Sequence, residues 1–128
     1  MDQPVRVLIA DDQVQVRQSL QALLTAWPEI EVAGLTANSV EVVHLVEECQ
    51  PNVVLMDIRM PVSVLNGADR LGGLEAIRLI KSRWPQVRIV MLMMYTAYRA
   101  AALAAGADAF LLKGCPAEAL RDAILKAG

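Results

Sequence analysis

Four charged side chains in this chain each stand at the polar end of a short apolar run, and that arrangement restricts the folds open to it. Asp11 and Asp12 follow Val-Leu-Ile-Ala, Asp57 follows Val-Val-Leu-Met, and Lys113 follows Ala-Phe-Leu-Leu. Apolar runs this short, rich in branched residues and without polar alternation, read as strands buried on both faces of a parallel sheet. In open sheets of that kind ligands gather at the carboxyl ends of the strands, so the four charges are expected at one edge.

The rest of the chain alternates in step. Val5 to Ala10 is the first predicted strand; Val16, Leu20, Leu23, Leu24 and Trp27 then recur as the stripe of an amphipathic helix, closed by Pro28. Ile30 to Leu35 reads as a strand. Asn38 and Ser39 are capping types ahead of a helix whose apolar face is Val42, Val43, Val46 and Cys49, and Pro51 ends it. Val53 to Met56 is the third strand. After Pro61 the stretch 62–72 is irregular, with Asn66-Gly67 and then Gly72-Gly73 as breaker signals. A helix resumes with Leu74, Ile77, Ile80 and Trp84 on its inner face, Pro85 stops it, and Ile89 to Met93 is the fourth strand. An alanine-rich helix from about Tyr98 to Ala105 ends at Gly106, Ala109 to Leu112 is the fifth strand, and Pro116 opens the last helix. Five strands alternating with five helices imply right-handed crossovers and a three-layer α/β sandwich.

Size and composition agree with one domain over 1–128. The hydrophobic content is 55%, yet no uninterrupted apolar run approaches the length of about 18 residues that a membrane span needs. No basic region followed by a long apolar stretch opens the chain, so a cytoplasmic protein without membrane contact is expected. Cys49 and Cys115 are too few and too far apart for a disulfide framework and read as reduced, packed thiols. A formal net charge of -2 carries no electrostatic footprint for nucleic acid. The basic cluster Arg78, Lys81, Arg83 and Arg88 reads as a solvated face, and His44 as a helix-surface residue.

Three carboxylates do not gather unaided. At an effective dielectric near 20, two like charges about 4 Å apart repel by roughly 4 kcal/mol, so Asp11, Asp12 and Asp57 need a cation. All-oxygen ligands suit a hard divalent ion such as Mg2+, which bridges carboxylates to phosphate. A carboxylate is also a competent nucleophile toward phosphorus, and an ammonium such as that of Lys113 can neutralise the transferring oxygens.

On Val-Leu-Ile-Ala-Asp11-Asp12, Val-Val-Leu-Met-Asp57-Ile-Arg-Met-Pro61, Gly73-Leu-Glu-Ala and Gly106-Ala-Asp-Ala-Phe110-Leu-Leu-Lys113, in that order, the chain resembles the receiver domain of bacterial two-component response regulators over essentially its whole length. It is most similar to the NarL/FixJ subfamily, which carries a LuxR-type helix-turn-helix output domain; no such domain lies in these residues. The resemblance implies a flavodoxin-like sheet of strand order 2-1-3-4-5. It implies that Asp57 accepts a phosphoryl group from a sensor histidine kinase, and that Asp12, Asp57 and the carbonyl of Arg59 hold Mg2+, with Asp11 acting through water. Lys113 would contact Asp57 or its phosphate. The implied activity is a signalling switch controlling an output such as transcription, limited to self-phosphorylation and slow self-dephosphorylation, so no turnover enzyme is expected. Homodimerisation is left open.

The chain departs from the family in three places. Met93 stands where the family has a hydroxyl at the end of the fourth strand, and a thioether cannot donate a hydrogen bond. Thr96 could replace it only by lengthening that strand. Phe110 keeps the aromatic switch position. The insertion 62–72 adjoins Asp57, and the helix after the fourth strand is short. Met93 therefore favours one alternative, a pseudo-receiver that acts as a phosphorylation-independent interaction module. A dehalogenase-like phosphatase would need a second carboxylate where Arg59 stands.

Overall fold

The computed structural model describes residues 3–57, 72–94 and 96–126. In chain order these form β1 (Val5–Asp11), α1 (Val14–Thr25), β2 (Ile30–Thr36), α2 (Ser39–Cys49) and β3 (Val53–Asp57). There follow α3 (Gly73–Arg83), β4 (Arg88–Met93), a 3-10 turn (Thr96–Tyr98), α4 (Arg99–Ala105), β5 (Ala109–Leu112) and α5 (Ala117–Leu125). The strands make one parallel sheet in the order β2-β1-β3-β4-β5. Strand alternation divides its side chains between two apolar layers. Val7 and Ile9 of β1, Val53 and Leu55 of β3 and Val90 and Leu92 of β4 pack with Leu20 and Leu24 of α1 and Leu120 and Ile124 of α5. Leu8, Val54, Met56, Ile89 and Met91 face the other way, onto α2, α3 and α4.

Local chemistry sets the element boundaries. The Asn38 side chain accepts 2.7 Å from the Glu41 N–H and caps α2, which ends where Gln50 turns left-handed at φ 50°. α4 ends at Gly106, with φ 121°, where an added Cβ would lie 2.9 Å from Lys81 Cγ; a glycine is required there on both counts. Beside it, the Lys81 ammonium bridges Asp108 (3.1 Å) and the carbonyls of Val87 and Pro85, while Asp108 accepts from the Ile89 N–H. That staple joins the ends of α3, β4 and β5. Nearby, Arg88 donates to the Ala123 carbonyl, while Arg78 and Arg83 are exposed, Arg78 paired with Glu75.

β4 stops at Met93 and Thr96 lies exposed in the 3-10 turn, so the strand is not lengthened to bring a hydroxyl back. Among the described residues, no helix is long and apolar enough to cross a membrane. Arg59 and positions 62–71 of the insertion lie outside the described residues, whereas Gly72 is buried at the N-cap of α3.

Candidate functional site

The register of the sheet builds the site. Asp11 ends β1 directly opposite Asp57, which ends β3, and both continue the alternation that faces the layer of α1 and α5. Parallel neighbours in register send side chains to the same side, so the two carboxyls meet above one face. On the far side, β4 and β5 finish together, with Met93 opposite Leu112, and the Lys113 N–H donates 2.8 Å to the Met93 carbonyl. That bond fixes where Lys113 leaves the sheet. Its Nζ comes to 2.8 Å from Asp57 Oδ2, an ion pair across β4.

The two acids of the site are buried. Asp11 is fully buried and Asp57 is 4% exposed. Asp11 Oδ1 accepts 2.7 Å from the Gln13 N–H, and the Asp11 carbonyl accepts 2.8 Å from Arg17 Nη1. Among the described residues Asp11 Oδ2, which is buried, has no hydrogen-bond donor, and Asp57 Oδ2 meets only the Lys113 ammonium. Buried carboxylate oxygens left unbonded are costly. The consequence is a raised proton affinity: burial first, then the Asp11 carboxyl beside it, push Asp57 up to about 8 against the pull of Lys113.

An Asp11 oxygen without a donor among the described residues, beside the buried Asp57 carboxyl, is the kind of oxygen donor set a hard cation takes, so the residues fit a divalent ion such as Mg2+. Asp12, exposed at the next position, does not complete a closed cage. Among the described residues, no three His, Cys, Asp or Glu side chains are grouped closely enough to enclose an ion. The remaining ligands would be water and phosphate, in keeping with the habit of Mg2+ to retain several waters. Arg59, whose carbonyl was expected among the ligands, is not described.

Met93 and Phe110 occupy the other layer. Met93, 6% exposed, packs with Met56, Met91 and Ala102, and Phe110 rests partly buried on the same cluster. At the end of β4 the chain therefore presents a core thioether where a donor was sought. His44 is exposed on α2, and both cysteines are free thiols. Two clefts of about 740 and 630 Å³ open at the opposite edge of the sheet, around Arg88, Asp108 and Lys126. Charge, not concavity, marks the acid site.

Sequence reasoning missed Gln13 and Arg17. The signal for Arg17 was present: a cation in the first turn of a helix opposes the helix dipole and calls for a partner nearby.

The comparisons with known proteins agree with this geometry. The family model described as the response regulator receiver domain matches residues 7–125. The chain is 37% identical over 123 residues to the transcriptional regulatory protein LnrK of Bacillus subtilis strain 168, covering 94% of this chain and 52% of that protein. It is 33% identical over 126 residues to the response regulator protein VraR of Staphylococcus aureus, covering 95% and 56%. It thus spans about half the length of these curated regulators. Among solved structures, the response regulator domain of Thermotoga maritima CheB superposes with a TM-score of 0.83 at 30% identity, covering 98% of this chain and 96% of that one. A LuxR-family DNA-binding response regulator from Staphylococcus aureus gives 0.81 at 28% identity, covering 96% and 98%. With the fold, the strand order and the paired acids in place, this chain belongs to the response regulator receiver domain family.

Proposed function

We propose that the chain is the phosphoacceptor switch of a two-component phosphorelay, with Asp57 receiving the phosphoryl group from a phosphohistidine of a sensor kinase. The observation that carries this reading is the buried contact of Asp57 with Asp11 on one side and Lys113 on the other. A charged trio of that kind has no structural use at a sheet edge, because an unpaired buried carboxylate destabilises the fold.

The chemistry follows from the residues. An Asp57 oxygen attacks phosphorus in line as the P–N bond to imidazole breaks, with its electron pair leaving on nitrogen, and a mixed anhydride of Asp57 results. Attack requires the carboxylate, so the proton that burial and Asp11 hold on Asp57 must leave first. A divalent ion such as Mg2+, held by Asp57 and Asp12 directly, by Asp11 through water and by the Arg59 carbonyl, would neutralise the acids and the incoming phosphoryl oxygens. Lys113 supplies a fixed positive charge on the other flank. Water later cleaves the anhydride, returning Asp57 and inorganic phosphate, so the chemistry is confined to the chain's own modification.

Phosphorylation adds charge and acceptor oxygens beside Lys113, whose N–H is tied to Met93. With no hydroxyl at position 93, the signal passes through Lys113 and β5 toward Phe110, biasing two pre-existing states. The whole protein is read as cytoplasmic. Residues 1–128 are its receiver domain, and a LuxR-type helix-turn-helix output domain would lie outside this chain, as the transcriptional relatives suggest. The test is intact mass after incubation with Mg2+ and acetyl phosphate. One phosphoryl adduct that is absent from Asp57→Asn supports the reading; a folded protein that takes none overturns it.

A further inference from the structure

Arg17 is the fourth residue of α1, a helix with no acidic residue in its first turn and no side-chain cap. A guanidinium there opposes the helix dipole, so its placement asks for a compensating contact. That contact is the main chain of the acid site: Arg17 Nη1 donates 2.8 Å to the Asp11 carbonyl. The Gln13 N–H meanwhile holds Asp11 Oδ1 at 2.7 Å. Main chain and one carboxylate oxygen are thus both fixed, and Asp11 Oδ2 is left buried without a donor among the described residues, on the residue that stands in register with Asp57. The charge of Arg17 is not what matters at Asp57, whose proton affinity answers to burial, Asp11 and Lys113. Arg17 itself is half exposed, and its field is screened by water and salt.

We propose that Arg17 is a positioning residue for divalent-cation binding: by clamping the backbone of Asp11 it holds that residue's free carboxylate oxygen beside Asp57, so that an ion on Asp57 meets a preformed acceptor for its bound water. The inference rests on the phosphoacceptor reading above. It assigns to the first turn of α1 a part in the affinity of the site that no motif in the sequence announces.

The test is a Mg2+ titration of the full chain, followed by amide chemical shifts at Asp11 and Asp57, for the parent, Arg17→Met and Arg17→Lys at one physiological ionic strength. Groups that orient metal ligands typically change affinity about 10- to 100-fold when removed, so Arg17→Met is expected to bind about tenfold more weakly. Arg17→Lys, whose ammonium can reach the same carbonyl, is expected to recover most of the loss. The half-saturating Mg2+ for phosphorylation by acetyl phosphate should rise by the same factor, its deficit shrinking as Mg2+ is raised. Arg17→Met binding as tightly as the parent overturns the clamp, and binding more tightly overturns it in favour of charge repulsion. A parent that binds no Mg2+ overturns the phosphoacceptor reading and this inference together. Should Arg17→Met not fold, Arg17→Gln, too short to reach the carbonyl, replaces it with the same outcomes.

Discussion

Removing the Asp57 charge should make the metal-free fold more stable, by an amount that grows with pH. In the native state burial and the Asp11 carboxyl raise Asp57 from its ordinary 3.8 to about 8. Between those values the native protein keeps a proton that the unfolded chain has released, so the native state binds more protons and stability falls as pH rises. Each pH unit in that window is worth about 1.4 kcal/mol, so by pH 7 the accumulated loss is on the order of a few kcal/mol. Asp57→Asn abolishes the titration and offers an amide donor close to Asp11 Oδ2, which lacks one among the described residues. Urea denaturation in EDTA at pH 5, 6, 7 and 8 should show the variant gaining on the parent at every step, with the difference closing toward pH 4. Mg2+ should then narrow the gap at pH 7 by stabilising the parent alone. Stability curves of parent and variant that run parallel with pH would refute the reasoning.

Lys113→Met leaves Asp57 without its fixed counter-charge, and phosphorylation by acetyl phosphate should slow by about 100-fold or more, read by intact mass over time. Asn38→Ala removes the cap of α2 and should cost about 1 kcal/mol in urea denaturation, with phosphorylation unchanged. Gly106→Ala places a Cβ against Lys81 at a positive φ and should cost about 1–3 kcal/mol, seen as a lower Tm.

The strands were legible because buried parallel strands are apolar throughout and because four of the five predicted helices carried a stop, at Pro28, Pro51, Pro85 and Gly106; their order came only with the family resemblance. Boundaries were off by a residue where polar side chains continue the sheet: Thr36, Asp57 and Arg88 belong to strands that hydrophobicity alone ends or starts one position away. Asp11, Asp57 and Lys113 were legible as strand-end charges, and the register brings them together. Asp12 and Asp11 follow the same run, and only the resemblance set Asp12 as a direct ligand apart from Asp11 acting through water; the alternation of β1 adds that Asp11 turns toward Asp57. Gln13 escaped because it acts on Asp11 through its main-chain N–H, which leaves no residue pattern to read; Arg17 left only the weak signal of a cation in the first turn of α1, which does not name its partner. Trp84, expected on the inner face of α3, packs partly buried against that core from the C-cap position and takes Arg83 over its ring at 5.1 Å.

The measurement closest to the central claim is chemical location of the phosphoryl group. After acetyl phosphate and Mg2+, borohydride reduction of the acyl phosphate converts the modified aspartate to homoserine, which peptide mass spectrometry places in the chain. The account predicts homoserine at position 57 and none at 11 or 12. Homoserine at either of those positions, or a phosphoryl group that resists borohydride, would contradict it.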